Sequence, residues 1–172
     1  MARKTLLTID DVNKMTSDQF IDVFGNIVEH CSLCAAAVWQ HRPFQDVHHL
    51  HKVVCEFLDN LPVNGKQGVL RLHPDLAGNV AGGLTLESHS EQKSAGIDSL
   101  TLDEKGKIQE RNKNYRDKFN FPFVICARKN KKEAILEGLE LRLQNSNEEE
   151  VTNGIEQVKL IALLRMLSIV EE

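Results

Sequence analysis

The sequence predicts an all-α fold: a compact single domain over residues 1–172, a bundle of about seven to nine helices around one buried extended segment. Three observations carry that prediction. Capping boxes open at Thr8-Ile9-Asp10-Asp11, Thr16-Ser17-Asp18-Gln19 and Thr101-Leu102-Asp103-Glu104, where the threonine hydroxyl and the acid or amide three residues on satisfy each other's backbone donors. Apolar residues recur at helical spacing along most of the chain. Only Phe121 to Ala127 reads as a strand, and a lone strand has nothing to pair with.

After the second capping box come Phe20, Val23, Phe24, Ile27 and Val28. They form one apolar face and predict a helix from about Asp18 to Glu29 or His30. Cys31 to Trp39 predicts a short buried helix that ends before Arg42-Pro43-Phe44. Asp46 to Leu61 carries Val47, Leu50, Val54, Phe57, Leu58 and Leu61 at helical spacing. Pro62 to Gly68 reads as a loop from its glycines and asparagine.

Thr101 opens a helix with Ile108, Asn112, Tyr115 and Phe119 on one stripe, and Asn120 can take the left-handed turn that ends it. Acids and bases alternate on its other faces, which reads as a solvated surface. Phe121-Pro122-Phe123-Val124-Ile125-Cys126-Ala127 is expected buried and extended, with amides in need of partners that a polar ligand could supply. Lys131 to Leu143 predicts a further helix. The last runs from about Glu148 to Val170, with Val151, Ile155, Val158, Ala162 and Arg165 along one stripe.

The charge balance, 21 basic against 25 acidic side chains, gives no reason to expect nucleic acid as a partner. No apolar run is long enough to span a membrane, so no membrane partner is expected. The four cysteines, without a secretory signal, predict reduced thiols in an intracellular compartment. Cys31 and Cys34 lack a second pair to complete a zinc site, and the histidines at 48, 49 and 51 cannot share one helix face. No metal is expected, and no cofactor motif stands out.

The helical pattern lapses at His73-Pro74-Asp75-Leu76-Ala77-Gly78 and again at Glu87 to Gly96. His73 precedes a proline and is expected extended, leading into a short helical turn Pro74 to Ala77 that Gly78 ends. Thr85 caps a helix from Leu86 to about Ala95. There Ser88, Glu91, Gln92 and Ala95 share one face. That face would be apolar in a plain amphipathic helix. A polar face in its place suits either a solvated helix under a loop or a pocket lining with His73 across from Glu91.

Several motifs in fixed order now carry a resemblance. They are Phe24-Gly25-Asn26 with Glu29, Arg42-Pro43-Phe44, the run His73 to Gly78, and Glu87-Ser88-x-x-Glu91-Gln92-x-x-Ala95-Gly96. Tyr115-x-x-Lys118-Phe119-x-Phe121-Pro122-Phe123-Val124-Ile125 and Val158-Lys159 with Arg165 complete them. From about Thr8 to Ile169 the chain resembles the 2-oxo-4-hydroxy-4-carboxy-5-ureidoimidazoline decarboxylases, the last enzymes of the route from urate to (S)-allantoin. The resemblance implies an all-α fold, a homodimer, a small ureidoimidazoline substrate and no cofactor. It implies that His73 is the acid/base residue, assisted by Glu91 and Arg165. Substrate binding would fall to Pro74, to Ser88, His89, Ser90, Glu91 and Gln92, and to the backbone of Val124, Ile125, Cys126, Ala127 and Arg128.

Three departures from the family pattern stand out. Asn120 replaces a usual glycine. The loop Asn79 to Gly83 looks shorter than in many members. Val170-Glu171-Glu172 is not the peroxisomal tripeptide that some eukaryotic members carry. The expected location is peroxisomal by resemblance in a eukaryote, or cytosolic for want of that tripeptide. Two other readings fit the same chain: a catalytically silent interaction module of this fold, and a carboxy-lyase for a related heterocycle.

Overall fold

The computed structural model describes residues 5–78 and 84–172. The loop 79–83, expected to be short, lies outside the described residues. Nine α-helices and no multi-residue strand are found among the described residues, as the capping signals and periodicity predict. The chain divides into two compact units. One comprises Met1–Pro62 with Lys159–Glu172, the other Val63–Val158.

The first unit holds α1 (Ile9–Lys14), α2 (Ser17–Phe24), α3 (Ser32–Trp39) and α4 (Val47–Asn60). Thr8 and Thr16 form the two capping boxes, and Asp46 caps α4 by accepting from the His49 amide. Phe20, Phe24 and Phe44 stack at the centre, with ring centroids 4.6 and 6.1 Å apart. A single parallel bridge, Leu7 to Val170, ties the two ends of this unit.

Here α2 stops at Phe24, several residues before the predicted end. Turns follow: the Asn26 side chain accepts from the His30 amide, and His30 takes a left-handed φ of 49°. Those turns send the Glu29 carboxylate inward, where it is wholly buried. A continued helix would aim it elsewhere.

The second unit holds α5 (Val63–Arg71), α6 (Leu86–Ser94), α7 (Leu102–Phe119), α8 (Lys132–Arg142) and the start of α9 (Asn147–Met166), whose last residues belong to the first unit. The structure corrects the loop expected over 62–68, which is the first half of α5. Gly65, Gly68 and Asn64 lower its intrinsic helicity, but Val69 and Leu70 are buried and hold it. Gly154 on α9 makes room for Leu70, since a Cβ there would lie 2.7 Å from the leucine's methyl carbon.

Tyr115 and Phe119 of α7 meet Phe121 and Phe123 of the extended run in an aromatic cluster, with centroids 4.5 to 6.1 Å apart. Asn120 takes the predicted left-handed turn, φ 61°. A buried carboxylate, Glu150, completes this core. It accepts from Tyr115 Oη, from Arg142 Nε at 2.9 Å and from Asn145 Nδ2 at 2.7 Å. Burial pushes the Glu150 carboxyl up, but the donors from Arg142, Tyr115 and Asn145 outweigh it, and the net shift is downward.

Candidate active site

Helix α6 is amphipathic in reverse. Leu86 is 88% exposed, whereas Ser88 is 6% exposed. Thr85 caps the helix by accepting from the Ser88 amide. Ser88 and Ala95 are buried and Glu91 and Gln92 half-buried, so the polar face the sequence singled out is the inward one. The side chains of His89 and Ser90 are exposed.

Gln92 ties this face to the His73 motif. Its Oε1 accepts from the Ala77 amide at 3.1 Å, and its Nε2 donates to the Asp75 carbonyl at 3.4 Å. The structure corrects the helical turn expected over Pro74 to Ala77: the segment is an irregular turn. Ala77, not Gly78, carries the left-handed φ, 54°. Side chains from α6 and α7 hold that conformation in place, as Asn112 Nδ2 donates to the Leu76 carbonyl at 2.9 Å.

His73 is buried, 6% exposed. Its Nδ1 lies 3.1 Å from the carbonyl of Val69, one helical turn back. A carbonyl oxygen only accepts, so Nδ1 carries the hydrogen and Nε2 of the neutral ring carries the lone pair. With Pro62 to Gly68 read as a loop, Val69 to Leu72 was not seen as the end of a helix, which hid the i−4 relation between Val69 and His73. Pro74 is half-buried.

In the extended run Val124 and Cys126 are buried and Ile125 is half-buried; the run stops at Cys126, one residue before the predicted end, and Ala127 (buried) and Arg128 (exposed) lie in a single 3-10 turn over Ala127–Lys129. The Cys126 amide donates to Gln157 Oε1 at 2.9 Å, and the Val124 carbonyl accepts from Arg142 at 2.8 Å. Part of the backbone pairing that the sequence left to a ligand is therefore supplied by α8 and α9. Burial pushes the Cys126 thiol up, and the Glu91 carboxylate adds to the rise; helix α6 itself packs against the turn Ala127–Lys129 that ends this run. In the second unit α6 therefore touches both the turn that follows His73, through Gln92, and the end of the run from Phe121, through its packing on Ala127–Lys129.

Arg165 belongs to the first unit. It is 4% exposed, and its Nη1 donates to Glu29 Oε2 at 2.8 Å and to the Asn26 carbonyl at 2.7 Å. Snorkelling toward water, the bland reading of an arginine on an apolar stripe, does not describe it. A buried guanidinium needs a buried counter-charge, and Glu29 supplies one.

A model of the OHCU decarboxylase family matches residues 13–167. The 2-oxo-4-hydroxy-4-carboxy-5-ureidoimidazoline decarboxylase of Xenopus laevis is 45% identical over 162 residues, which cover 93% of each chain. This chain belongs to the OHCU decarboxylase family. Two solved structures share its fold. An (S)-allantoin synthase superposes with a TM-score of 0.73 at 25% identity, covering 96% of this chain and 55% of that one. An OHCU decarboxylase determined in the presence of (S)-allantoin superposes with a TM-score of 0.68 at 20% identity, over 88% of this chain and 96% of that one. Across the OHCU decarboxylase match lie both the His73 turn and the Arg165 pair.

Proposed function

We propose that this chain decarboxylates 2-oxo-4-hydroxy-4-carboxy-5-ureidoimidazoline to (S)-allantoin, in the degradation of urate. The observation that carries the reading is the His73 ring, buried with Nδ1 donating to the Val69 carbonyl, at the head of a turn that Gln92 of the polar helix face holds.

The substrate carries its carboxylate on a carbon that also bears a hydroxyl and adjoins a C=N bond. When the C–COO⁻ bond breaks, its electron pair becomes a new C=C bond. The C=N pair moves onto nitrogen, which takes a proton. The resulting enol then loses its hydroxyl proton while the neighbouring carbon gains one on a single face. CO2 leaves and one proton is taken up overall. The substrate is its own electron sink, so the protein has only to position it and move protons.

An imidazole can do both halves of that relay. In this reading Nε2 of His73 exchanges the proton with the substrate. Ser88, Glu91 and Gln92 offer polar contacts to the ring and ureido groups, with the backbones of His89 and Ser90 beside them. Pro74 and the Val124 to Arg128 backbone bound the other side. Arg165, in the first unit, is assigned an assisting role on the family resemblance alone. The homodimer and the peroxisomal or cytosolic setting rest on the family resemblance. Sedimentation analysis of the purified chain and imaging of a tagged copy in its own cells test them.

The test of the activity is to mix purified protein with freshly generated substrate and follow circular dichroism. Protonation in free solution favours neither face, so a catalysed reaction builds a chiral signal. A signal that rises no faster than the protein-free control overturns the reading.

A further inference from the structure

The inward stripe of α7 is apolar except at one place. Ile108, Tyr115 and Phe119 are buried there, and so is Asn112. An amide in such a stripe costs free energy unless it is hydrogen-bonded, and a leucine would fill the same volume without that cost. Asn112 spends its Nδ2 on the carbonyl of Leu76, three residues past His73. One turn along the same helix, Arg116 Nε reaches both carboxylate oxygens of Asp75, at 2.8 and 3.0 Å. Gln92 grips the same turn from α6 through Asp75 and Ala77.

We infer that Asn112 and Arg116 are positioning residues for His73, acting through the turn Asp75 to Ala77. The inference rests on the proposed role of His73. The stretch linking these anchors to the ring has few soft torsions. Proline fixes φ at 74, and the residue before a proline is confined to extended conformations. Ala77 stands at a left-handed φ that a residue with a Cβ keeps only when its surroundings over-determine it. With the ring tied at Nδ1 to α5 and the following turn tied to α6 and α7, Nε2 has a fixed place. Release of either α7 anchor lets the turn relax and carries Nε2 off its line to the substrate. A misplacement near 1 Å is enough to cost roughly 10²-fold in rate.

Asn112→Leu keeps the volume and removes the donor. Arg116→Gln removes the charge from a half-exposed side chain, and so leaves folding intact even if the core variant does not fold. Each is expected to lower kcat about 10- to 100-fold with KM changed less than about threefold. Each should also shift the imidazole 15N resonances of His73, which a role confined to stability would not move. The exchanged pair Asp75→Arg with Arg116→Asp should recover at least about tenfold of the Arg116→Gln loss. Added to His73→Ala, Asn112→Leu should cause no further loss in the residual rate.

The inference is overturned if Arg116→Gln keeps kcat within about twofold of wild type while His73→Ala is inactive. An Asn112→Leu loss of the same size with and without His73 overturns it too. If His73→Ala is itself fully active, the failure lies with the reading beneath, and the two cases are thereby told apart.

Discussion

Removing the charge of Glu150 tests what holds the extended segment beside the site. In Glu150→Gln the side chain keeps its shape but one oxygen becomes an NH2, which must face either the donors Tyr115 and Arg142 at Oε2 or the donors Asn145 and Asn153 at Oε1. Arg142, whose side chain is 15% exposed, loses its counter-ion and keeps the Val124 carbonyl. Breaking a buried pair from one side costs about 3–5 kcal/mol. For a chain of this size that corresponds to a fall in Tm of about 6–20 °C. Tyr115→Phe, which removes one donor and leaves the ion pair, should cost less, about 1–3 kcal/mol.

The sign with pH follows from the direction of the Glu150 shift. Its folded-state carboxyl lies below the ordinary 4.5. Its contribution is present above that value and is lost as pH falls through the folded value. Thermal unfolding by circular dichroism at pH 7 and at stepwise lower pH reads both effects. The gap between wild type and Glu150→Gln should be widest near neutrality and should shrink below about pH 4.5. A Glu150→Gln protein within about 2 °C of wild type at pH 7 would refute the reasoning.

Other consequences are local. Thr101→Ala removes the hydroxyl of an intact capping box and should cost about 1 kcal/mol, read by urea unfolding. Ala77→Gly relieves the left-handed strain and should raise the unfolding free energy by about 0.5–1 kcal/mol in the same assay, since the relief exceeds the added chain entropy. Burial pushes the Cys34 thiol up to about 12. In native protein at pH 8.5 it should react with iodoacetamide roughly 10³-fold more slowly than a free thiol, because the thiolate is the nucleophile. Peptide mass spectrometry after timed labelling measures this.

What could be read in the sequence was what is decided locally. The threonine boxes fix the starts of α1, α2 and α7 within four residues, and all three form as written. Asn120 ends α7 through its own tolerance of the left-handed region. The shared face of Ser88, Glu91, Gln92 and Ala95 is legible from helical spacing, and burial shows that it is the inward one. Features fixed by distant partners were not legible. Helix α5 looked like a loop because its glycines speak against a helix, and only the burial of Val69 and Leu70 outweighs them. The early end of α2 depends on where Glu29 must point to meet Arg165, 136 positions away in the chain by its number. Val69 on the His73 ring is a contact that no spacing rule reveals in a segment whose helix went unread, and Gln157 on the Cys126 amide joins a helix that was read to a run 31 positions away.

The same logic explains why composition misled at the His73 turn. A glycine in the sequence suggested where the left-handed residue would sit, yet Ala77 takes that conformation. Three side chains from two helices hold the turn, through Gln92, Asn112 and Arg116. Their combined hydrogen bonding outweighs the strain of one residue, which is about 1–2 kcal/mol.

The most direct measurement is the time course of the (S)-allantoin dichroism signal for wild type and His73→Ala, with the same fresh substrate and matched protein concentrations. The variant should fall at least about 10²-fold, toward the protein-free trace, while its far-UV spectrum stays that of a folded helical protein. A folded His73→Ala protein that builds the signal at the wild-type rate would contradict the account.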